Sequence, residues 1–260
     1  MGKLKNTLKL FGFDFAKTIQ SLYGLGKFYS DYKDYKIKAK NAEHAFPVKK
    51  MIPVLTDHIA ESGVAKGQYF HQDIYVARRI FEQSPKRHID IASRVDGFVS
   101  SVSVFRPIDV VDIRPLTTSA KNITFLQADL MSPAVVEKIG TSDSVSCLHA
   151  IEHFGLGRYG DPIDPDGHIK GLLNVASLVK KKGILYVSIP IGPERVEFNG
   201  HRIFDVMTVP KILGNDFDLE VFTYIDDAGE IFEDIPIENA KNNPNFGCVF
   251  GCAIYELRRL

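Results

Sequence analysis

Residues 88–113 read HIDIASRVDGFVSSVSVFRPIDVVDI, and this stretch decides the fold. It opens and closes on short, mostly apolar and β-branched runs, 88–91 and 108–113, and each run carries an aspartate close to its end. Such runs are typical of buried strands, and their spacing of about 20 residues leaves room for the helical crossover that joins parallel neighbours. The stretch therefore predicts a βαβ unit.

The same alternation continues along the chain. Further strand-like runs lie at 123–128, 144–149, 184–191, 219–224 and 247–256. The clearest helical pattern between them runs from Ile169 to Val179 and is expected to end at the lysines and glycine of 180–183. Nearly continuous apolar strands alternating with helices predict an α/β fold, with a doubly wound, mostly parallel, seven-stranded Rossmann-like sheet covered on both faces.

A helix over residues 66–83 is expected before the first strand, with Pro85 ending it. Phe70, Ile74, Ala77 and Phe81 recur at helical spacing, so we expect them to form its buried face. The α/β domain is accordingly assigned to residues 65–260. Residues 1–64 are assigned to a basic N-terminal arm and connector.

The arm begins with an apolar stripe at spacings of four and three residues. Its members are Leu4, Leu8, Phe11, Phe15, Ile19 and Leu22. The stripe predicts an amphipathic helix over roughly the first 22 residues, followed by a connector over 23–50 in which Gly24 and Gly26 break the periodicity. We expect the helix to pack on the domain, with association with a membrane surface or a partner protein as the alternative.

Charge is distributed unevenly along the chain. The 260 residues carry 32 basic and 32 acidic side chains, but residues 1–50 hold 11 lysines against 4 acidic residues. The rest of the chain is therefore acidic overall, which disfavours a nucleic-acid partner.

Three cysteines without metal-site spacing indicate reduced thiols. Neither a signal-peptide core nor an apolar run of about 20 residues is present, so a cytoplasmic location is expected.

Acids and histidines follow the early strands, where a doubly wound sheet binds its ligands. Asp112 follows Asp90 by 22 residues, close to the offset of about 20 at which nucleotide-binding sheets place an acid on ribose hydroxyls. Asp129, after the third strand, is suited to accept a hydrogen bond from an adenine amino group. The cofactor-binding residues predicted from these strand ends are Asp90, Ala92, Ser93, Arg94, Gly97, Asp112, Ile113, Asp129, Leu130 and His149.

The first loop discriminates between cofactors. A dinucleotide site needs glycines where backbone amides approach the pyrophosphate, but Ala92, Arg94 and Asp96 stand at those positions. NAD and FAD are therefore disfavoured, as is a nucleotide-sugar epimerase or reductase. S-adenosylmethionine has no phosphate, and Asp96 is compatible with its positive charges.

Four segments carry a family resemblance: 69–73 (YFHQD), 93–98 (SRVDGF), 112–116 (DIRPL) and above all 149–168 (HAIEHFGLGRYGDPIDPDGH). With the strand-end acids, they resemble the class I S-adenosylmethionine-dependent methyltransferases. More closely, they resemble an uncharacterised methyltransferase-like family met in bacterial surface-polysaccharide gene clusters. The resemblance covers about residues 65–258 and implies S-adenosylmethionine as cofactor, although Ala92 stands where the superfamily has its first glycine.

The loop after the fourth strand is where such an enzyme brings its substrate to the methyl group. A hydroxyl acceptor needs a general base, and histidine suits that role near neutral pH. We predict His153, oriented by Glu152, as the base, with His149 next. The substrate-binding residues predicted around it are Arg158, Tyr159, Asp161, Asp166, His168, Glu197, Asn199, His201 and Arg202.

The run Asp161, Asp164, Asp166 and His168 could also provide ligands for a divalent metal, but Asp166 is equally suited to cap the helix that follows, so no metal site is assigned.

The sequence favours methylation of a hydroxyl on a sugar or related metabolite in surface-glycan biosynthesis. The alternative is a catalytically inactive methyltransferase fold that binds a glycan or a glycan-assembly enzyme. The two differ in whether product forms.

Overall fold

Residues 9–260 are described by a computed structural model, in which the chain divides into two units, Met1–Val64 and Ala65–Leu260. Leu4 and Leu8 of the predicted stripe lie outside the described residues. Among the described residues, no helix combines the length and the apolar character needed to cross a membrane.

The first unit contains one long helix, α1 (Phe15–Ala39), whose N-terminus is capped by Asp14. The predicted connector from residue 23 was wrong, because the helix continues through Gly24 and Gly26. Gly24 is the buried residue of α1, and a Cβ atom built on it would lie 1.9 Å from the carbonyl oxygen of Leu55. This glycine therefore permits close packing of the chain against the helix instead of ending the helix.

The apolar stripe is exposed where the structure describes it. Phe11, Phe15, Ile19 and Leu22 have 74, 55, 54 and 66% of their surface accessible. Such a set of large exposed apolar side chains is unusual at the surface of a folded unit.

The second unit is built on an eight-stranded sheet. Its strands are β1 (His88–Ile91), β2 (Ile108–Asp112), β3 (Ile123–Gln127), β4 (Ser142–Leu148), β5 (Val179–Ile191), β8 (Phe217–Ile225), β9 (Ile231–Phe232) and β10 (Gly251–Arg259). The order is β3-β2-β1-β4-β5-β10-β8-β9. The first five are parallel and the last three pair antiparallel. The predicted doubly wound, mostly parallel fold is confirmed, with the short β9 as an eighth strand. A separate ribbon pairs β6 (Arg195–Glu197) with β7 (His201–Ile203).

Helices cover both faces of this sheet, and a buried apolar cluster lies on each face. They are α2 (Gln68–Gln83), α3 (Ser100–Ser103), α4 (Ala134–Ile139), α5 (Gly167–Ser177) and α6 (Thr208–Leu213). Helix α5 ends before the predicted lysines. Lys180, Lys181 and Lys182 instead belong to β5, where their side chains are exposed before the strand enters the core.

The buried face of α2 differs from the prediction. Phe70, Ile74 and Phe81 are exposed, whereas the buried residues are Gln72, Tyr75, Val76, Ala77 and Ile80. The polar Gln72 tolerates burial because its side-chain oxygen accepts a hydrogen bond from Ser188 in β5. Phe81 packs edge-on against Phe105 at the surface.

Because β1, β2, β3 and β4 are parallel, their carboxyl ends lie along one edge of the sheet. The loops that leave this edge carry most of the predicted cofactor-binding residues. Helix α2 also reaches the edge, through Tyr69, Gln72 and Asp73.

Candidate active site

Two adjoining clefts open at the carboxyl edge of the sheet. The first cleft is narrow, with a cavity volume of about 50 Å³, and is lined by residues at the ends of β1, β2, β3 and β4 and in the loops that follow them. The second cleft, with a cavity volume of about 650 Å³, lies between helix α2, the loop after β1 and the loop after β4. Both clefts share five lining residues, namely Ala92, Arg114, His149, His153 and Tyr159.

Asp112 ends β2 and is nearly buried in the wall of the first cleft. Its carboxylate accepts hydrogen bonds from the backbone N–H of Arg114 at 2.8 Å and from Arg114 Nε at 3.0 Å. The Arg114 guanidinium also lies over the ring of Tyr159, 4.6 Å from the ring centroid. A ligand hydroxyl that reaches Asp112 must therefore share this carboxylate with Arg114.

The first cleft is also lined by a second acid. Asp129 lines the cleft, and one of its oxygens accepts the backbone N–H of Met131 at 2.8 Å. Ile113 and Leu130 provide apolar surface beside it. The first cleft thus combines two carboxylates with an apolar surface, which suits a flat ring system bearing polar groups.

The loop after β1 takes an unusual backbone conformation at Ala92, with φ of 63°. This left-handed region favours glycine, the residue found here in the superfamily that this sequence resembles. The backbone N–H of Ala92 donates to the carbonyl of Val111 at 2.8 Å, which ties the loop to β2. Alanine therefore occupies a conformation suited to glycine. Arg94 and Asp96 form an exposed pair, 2.6 Å apart, at the second cleft.

Asp90 does not contact either cleft, contrary to the prediction. It is fully buried, and its carboxylate accepts hydrogen bonds from Ser93 N at 3.0 Å, Ser93 Oγ at 2.8 Å and Ser146 Oγ at 2.6 Å. Burial raises the pKa of Asp90 to about 7. Asp90 therefore supports the first loop from within the sheet, while Ser93 and Gly97 line the second cleft.

His149 follows β4 in a left-handed conformation, with φ of 48°. Its Nδ1 lies 2.8 Å from Oε1 of Glu152, and both side chains are buried. Burial opposes the charged forms, but Cys252 and Glu152 raise the pKa of His149, and His149 lowers the pKa of Glu152. His149 and Glu152 thus form a buried, hydrogen-bonded pair.

His153 lines both clefts and is oriented by a backbone carbonyl. Its Nδ1 lies 2.7 Å from the carbonyl oxygen of Gly200, and since a carbonyl can only accept, Nδ1 carries the proton. Nε2 is left with a lone pair, 3.7 Å from Glu152 Oε1. Burial lowers the pKa of His153, so the ring is neutral near pH 7. Glu152, predicted to orient His153, instead makes its closer contact with His149.

The loop after β4 is organised by Asp161. Its carboxylate accepts the backbone N–H groups of Gly155 at 2.8 Å, Gly157 at 3.1 Å and Tyr159 at 3.1 Å. In this loop the Tyr159 ring contacts the guanidinium groups of Arg114 and Arg158, which lie 4.6 and 5.2 Å from its centroid. Asp161 also lines the first cleft, but its main role in the structure is to shape the loop.

Arg202, predicted to bind substrate, is buried and bonded to backbone. Its guanidinium donates to the carbonyl oxygens of Phe154 at 2.6 Å and Pro165 at 3.2 Å. A guanidinium satisfied in this way fastens the loop after β4 to the ribbon. It lines neither cleft.

The remaining predicted substrate residues also lie outside the lining of the two clefts. Glu197 and His201 face each other on the ribbon, 3.2 Å apart, and Asn199 is at its turn. Asp166 occupies the N-cap position of α5 without a side-chain capping bond, and His168 is in the first turn. Arg158 and Tyr159 are the predicted substrate residues that line the second cleft.

Within residues 9–260, no group of three or more His, Cys, Asp or Glu side chains is placed to hold a metal ion. The carboxylates considered as ligands have other partners: Asp161 binds backbone amides, and Asp164 pairs with Lys170 at 2.5 Å.

Tyr69, Gln72 and Asp73 were not predicted as site residues, yet all three line the second cleft. They lie on α2, before the first strand, so strand-end reasoning could not reach them. One signal was available in the sequence: Gln72 falls on the same helical face as Tyr75 and Val76, and a polar residue on a buried face needs a partner.

Parallel strands ordered β3-β2-β1-β4-β5, followed by antiparallel β10 and β8, define the fold of class I S-adenosylmethionine-dependent methyltransferases. Solved structures agree with this assignment. A methyltransferase of this type from Anabaena variabilis is 14% identical, with 74% of this chain and 86% of that chain covered and a TM-score of 0.51. One from Clostridium acetobutylicum is 11% identical, with 75% and 93% covered and a TM-score of 0.50. At these identities the likeness shows the fold alone.

The chain also resembles N-methyltransferase NodS from Bradyrhizobium japonicum, solved with S-adenosyl-L-homocysteine, at 12% identity, with 88% of this chain and 97% of that chain covered and a TM-score of 0.48. Residues 120–246 match the profile of a family described as a Caenorhabditis protein of unknown function, DUF268. No curated protein matches the sequence. None of these comparisons bears on surface polysaccharides.

Proposed function

We propose that the α/β unit is an S-adenosylmethionine-dependent methyltransferase that acts on a hydroxyl of a sugar or related small metabolite. The observation that carries the proposal is the position of His153. Its ring lines both clefts, its Nδ1–H is engaged by Gly200, and its Nε2 keeps a lone pair. A neutral base between a cofactor cleft and a substrate cleft is what methylation of a hydroxyl requires.

The first cleft fits the adenosyl group. Asp112 can accept the ribose hydroxyls once Arg114 yields part of the carboxylate, and Asp129 can accept the adenine amino group. Ile113 and Leu130 offer apolar contact to the ring.

Bound S-adenosylmethionine supplies an activated methyl carbon on a sulfonium. The protein aligns the acceptor and removes its proton: His153 Nε2 takes the hydroxyl proton, and the resulting imidazolium is stabilised by the Gly200 carbonyl and by Glu152 at 3.7 Å. His149 is unsuited to this role because its Nδ1 is bonded to the buried Glu152 and its pKa is raised by Cys252 and Glu152. The proton then leaves through the second cleft to solvent.

The polar groups of the second cleft support a hydroxylated acceptor. Arg158 and Tyr159 line it beside His153, and a guanidinium and a phenol hydroxyl are groups that hydrogen-bond the hydroxyls of a sugar. A place in bacterial surface-glycan biosynthesis, and with it a cytoplasmic location, is proposed only from the resemblance of residues 149–168.

A second candidate is a methyltransferase-fold module that binds a glycan or a glycan-assembly enzyme without chemistry. The observation that favours it is the pairing of Asp112 with Arg114, which occupies the ribose-binding carboxylate.

One experiment separates the two candidates. The full chain is titrated calorimetrically with S-adenosylhomocysteine and then incubated with methyl-labelled S-adenosylmethionine and a panel of sugars and nucleotide sugars. Binding with label transferred to an acceptor supports the enzyme. Absence of adenosyl binding contradicts the enzyme and leaves the module.

We also propose that the first unit attaches the protein to an anionic membrane surface. Phe15, Ile19 and Leu22 expose an apolar stripe on α1, and residues 1–50 carry 11 lysines against 4 acidic residues. Apolar side chains that enter the interface and lysines that meet anionic headgroups are the two elements of such binding.

A further inference from the structure

The second cleft is lined by three arginines, and two of them already have acidic partners. Arg94 pairs with Asp96 at 2.6 Å, and Arg114 pairs with Asp112. Arg158 differs, because among residues 9–260 no carboxylate oxygen lies within 4.0 Å of its guanidinium nitrogens. A guanidinium presents five N–H donors in a planar fork that matches a carboxylate or a phosphate. Arg158 therefore keeps donors that an anionic ligand can use.

Arg158 and His153 are held by the same backbone oxygen. The carbonyl of Gly200 accepts one hydrogen bond from His153 Nδ1 at 2.7 Å and another from Arg158 Nη1 at 3.0 Å. The Tyr159 ring contacts both side chains, with its centroid 5.4 Å from that of the His153 ring and 5.2 Å from the Arg158 guanidinium. Although Arg158 is exposed, its guanidinium is thus held next to the proposed base.

The spacing of these two side chains limits where an anionic group can lie on a ligand. Arg158 Nη1 is 3.4 Å from His153 Nδ1 and is bonded to Gly200, so Nε and Nη2 are the donors left for the ligand. A base acts at about 2.6–3.2 Å from the hydroxyl it deprotonates, and a charge-assisted hydrogen bond from a guanidinium is about 2.7–2.9 Å long. A hydroxyl at His153 and an anionic group at Arg158 therefore lie within the span of one sugar residue.

Proton uptake by His153 adds a positive charge beside Arg158. Burial lowers the pKa of His153, and Arg158 lowers it further, against the effects of Glu152 and the Gly200 carbonyl, which raise it. An anion bound to Arg158 would offset the repulsion between the two cations when the imidazolium forms. The same anion would hold the acceptor hydroxyl in position.

We propose that the acceptor carries an anionic group, a carboxylate or a phosphate, on the sugar residue that is methylated, and that Arg158 binds this group. The inference rests on the proposed function and narrows its substrate class to acidic or phosphorylated sugars. The acids that line the same cleft, Asp73 and Asp96, belong to α2 and to the loop after β1. The anionic group is accordingly placed on the side of the loop after β4, where Arg158 lies.

The test compares acidic sugars with neutral sugars of the same configuration. Methyl glucuronoside carries a carboxylate, glucose 1-phosphate carries a phosphate, and methyl glucoside carries neither. The corresponding galactose derivatives form a second set. In calorimetry with the full chain, with and without S-adenosylhomocysteine, an acidic sugar of one of these sets should bind about 10-fold or more tightly than its neutral counterpart. Whether the carboxylate or the phosphate gives the gain identifies the anion.

Arg158→Gln should raise the Kd for the acidic sugar about 10-fold or more, the effect of losing a hydrogen bond between charged groups. The Kd values for the neutral sugar and for S-adenosylhomocysteine should be unchanged. Arg78→Gln is the matched control and should retain the preference for the acidic sugar. Arg78 also lies over a tyrosine ring, 5.4 Å from the centroid of Tyr75, but it pairs with Glu233 and lines neither cleft.

Three results would overturn the inference: equal binding of acidic and neutral sugars by the wild type, no binding of any acidic sugar, or a preference that Arg158→Gln retains. Weaker binding of S-adenosylhomocysteine by Arg158→Gln would also overturn it, because the guanidinium would then serve the carboxylate of the cofactor. Failure of the wild type to bind S-adenosylhomocysteine would instead count against the proposed function. The sugar titrations without this ligand would still decide whether Arg158 binds an anionic group.

Discussion

Arg114 and Asp112 form a forked ion pair in the wall of the first cleft, with Nε 3.0 Å from Oδ1, while the same guanidinium lies over Tyr159. The pair links the end of β2 to the loop after β4. Any ligand that reaches Asp112 therefore affects the contact between Arg114 and Tyr159. Arg114 lines both clefts, so this contact lies where their walls meet.

Replacing Asp112 with alanine should weaken S-adenosylhomocysteine binding by about 1.5–3 kcal/mol, the range for hydrogen bonds to a charged group. The measurement is isothermal calorimetry on the full chain. Asp109→Ala is the control, because Asp109 lies on the same strand and pairs with Arg87 at 2.7 Å but lines neither cleft. Equal affinities for the folded Asp112→Ala variant and the wild type would remove Asp112 from the cofactor site.

The strands were predictable because parallel strands buried on both faces read as continuous apolar runs. Topology then placed Asp112, Asp129, His149 and His153 at one edge of the sheet. These assignments needed only the direction of the strands. Local sequence was enough for this part of the site.

The roles of Gly24, Gln72 and Arg202 could not be predicted from local sequence, because each depends on a contact with a residue distant in the chain. Helix α1 continues through Gly24, where the backbone of Leu55 packs closely. Gln72 can be buried because Ser188 donates a hydrogen bond to it. Arg202 resembles a ligand-binding residue until its carbonyl partners at Phe154 and Pro165 are seen. In each case the partner lies more than 30 residues away in the chain.

His153→Asn should lower the rate of methyl transfer about 10²- to 10⁴-fold, the usual cost of losing a general base. Asparagine keeps a polar side chain but cannot accept the hydroxyl proton. Cofactor affinity should be retained, which calorimetry checks. His201→Asn is the control, because its ring lies 6.5 Å from that of His153 and lines neither cleft. A comparable rate loss in His201→Asn would point to a structural effect instead of general-base catalysis.

The pH dependence of the rate should follow His153. Its pKa is lowered from the ordinary value of 6.5 by burial, so the ring is neutral and active at about pH 7. The rate constant for transfer should be flat around neutrality and fall only as the pH drops below the ordinary histidine value. If His149 were the base, its raised pKa would make the rate begin to fall at a higher pH on acidification, already above neutrality. A pH–rate profile distinguishes the two histidines.

Asp90 should make the free energy of unfolding depend on pH. Its folded pKa of about 7 lies above the ordinary value of 3.8, so the folded state holds a proton that the unfolded state releases between these values. Stability should fall as the pH rises through this window and level off above about pH 7. Urea titrations measure the free energy of unfolding. Between about pH 5 and pH 8, this free energy should fall by about 2–3 kcal/mol more in the wild type than in Asp90→Asn. Equal losses would contradict the raised pKa.

Membrane attachment through α1 should require both the apolar stripe and the lysines. Each exposed apolar side chain contributes about 1.5–3 kcal/mol when buried, so the combined substitutions Phe15→Ser, Ile19→Ser and Leu22→Ser should abolish sedimentation of the full chain with phosphatidylserine-containing vesicles. Lys17→Gln with Lys27→Gln should weaken this binding by about 1 kcal/mol per lysine and reduce its salt dependence. Phe198→Ser, which removes an apolar side chain that is 75% exposed in the second unit, is the control and should bind as the wild type does. Two results would assign the stripe to a protein contact instead. The triple variant could bind vesicles as the wild type does, or light scattering could show a dimeric wild type and a monomeric triple variant.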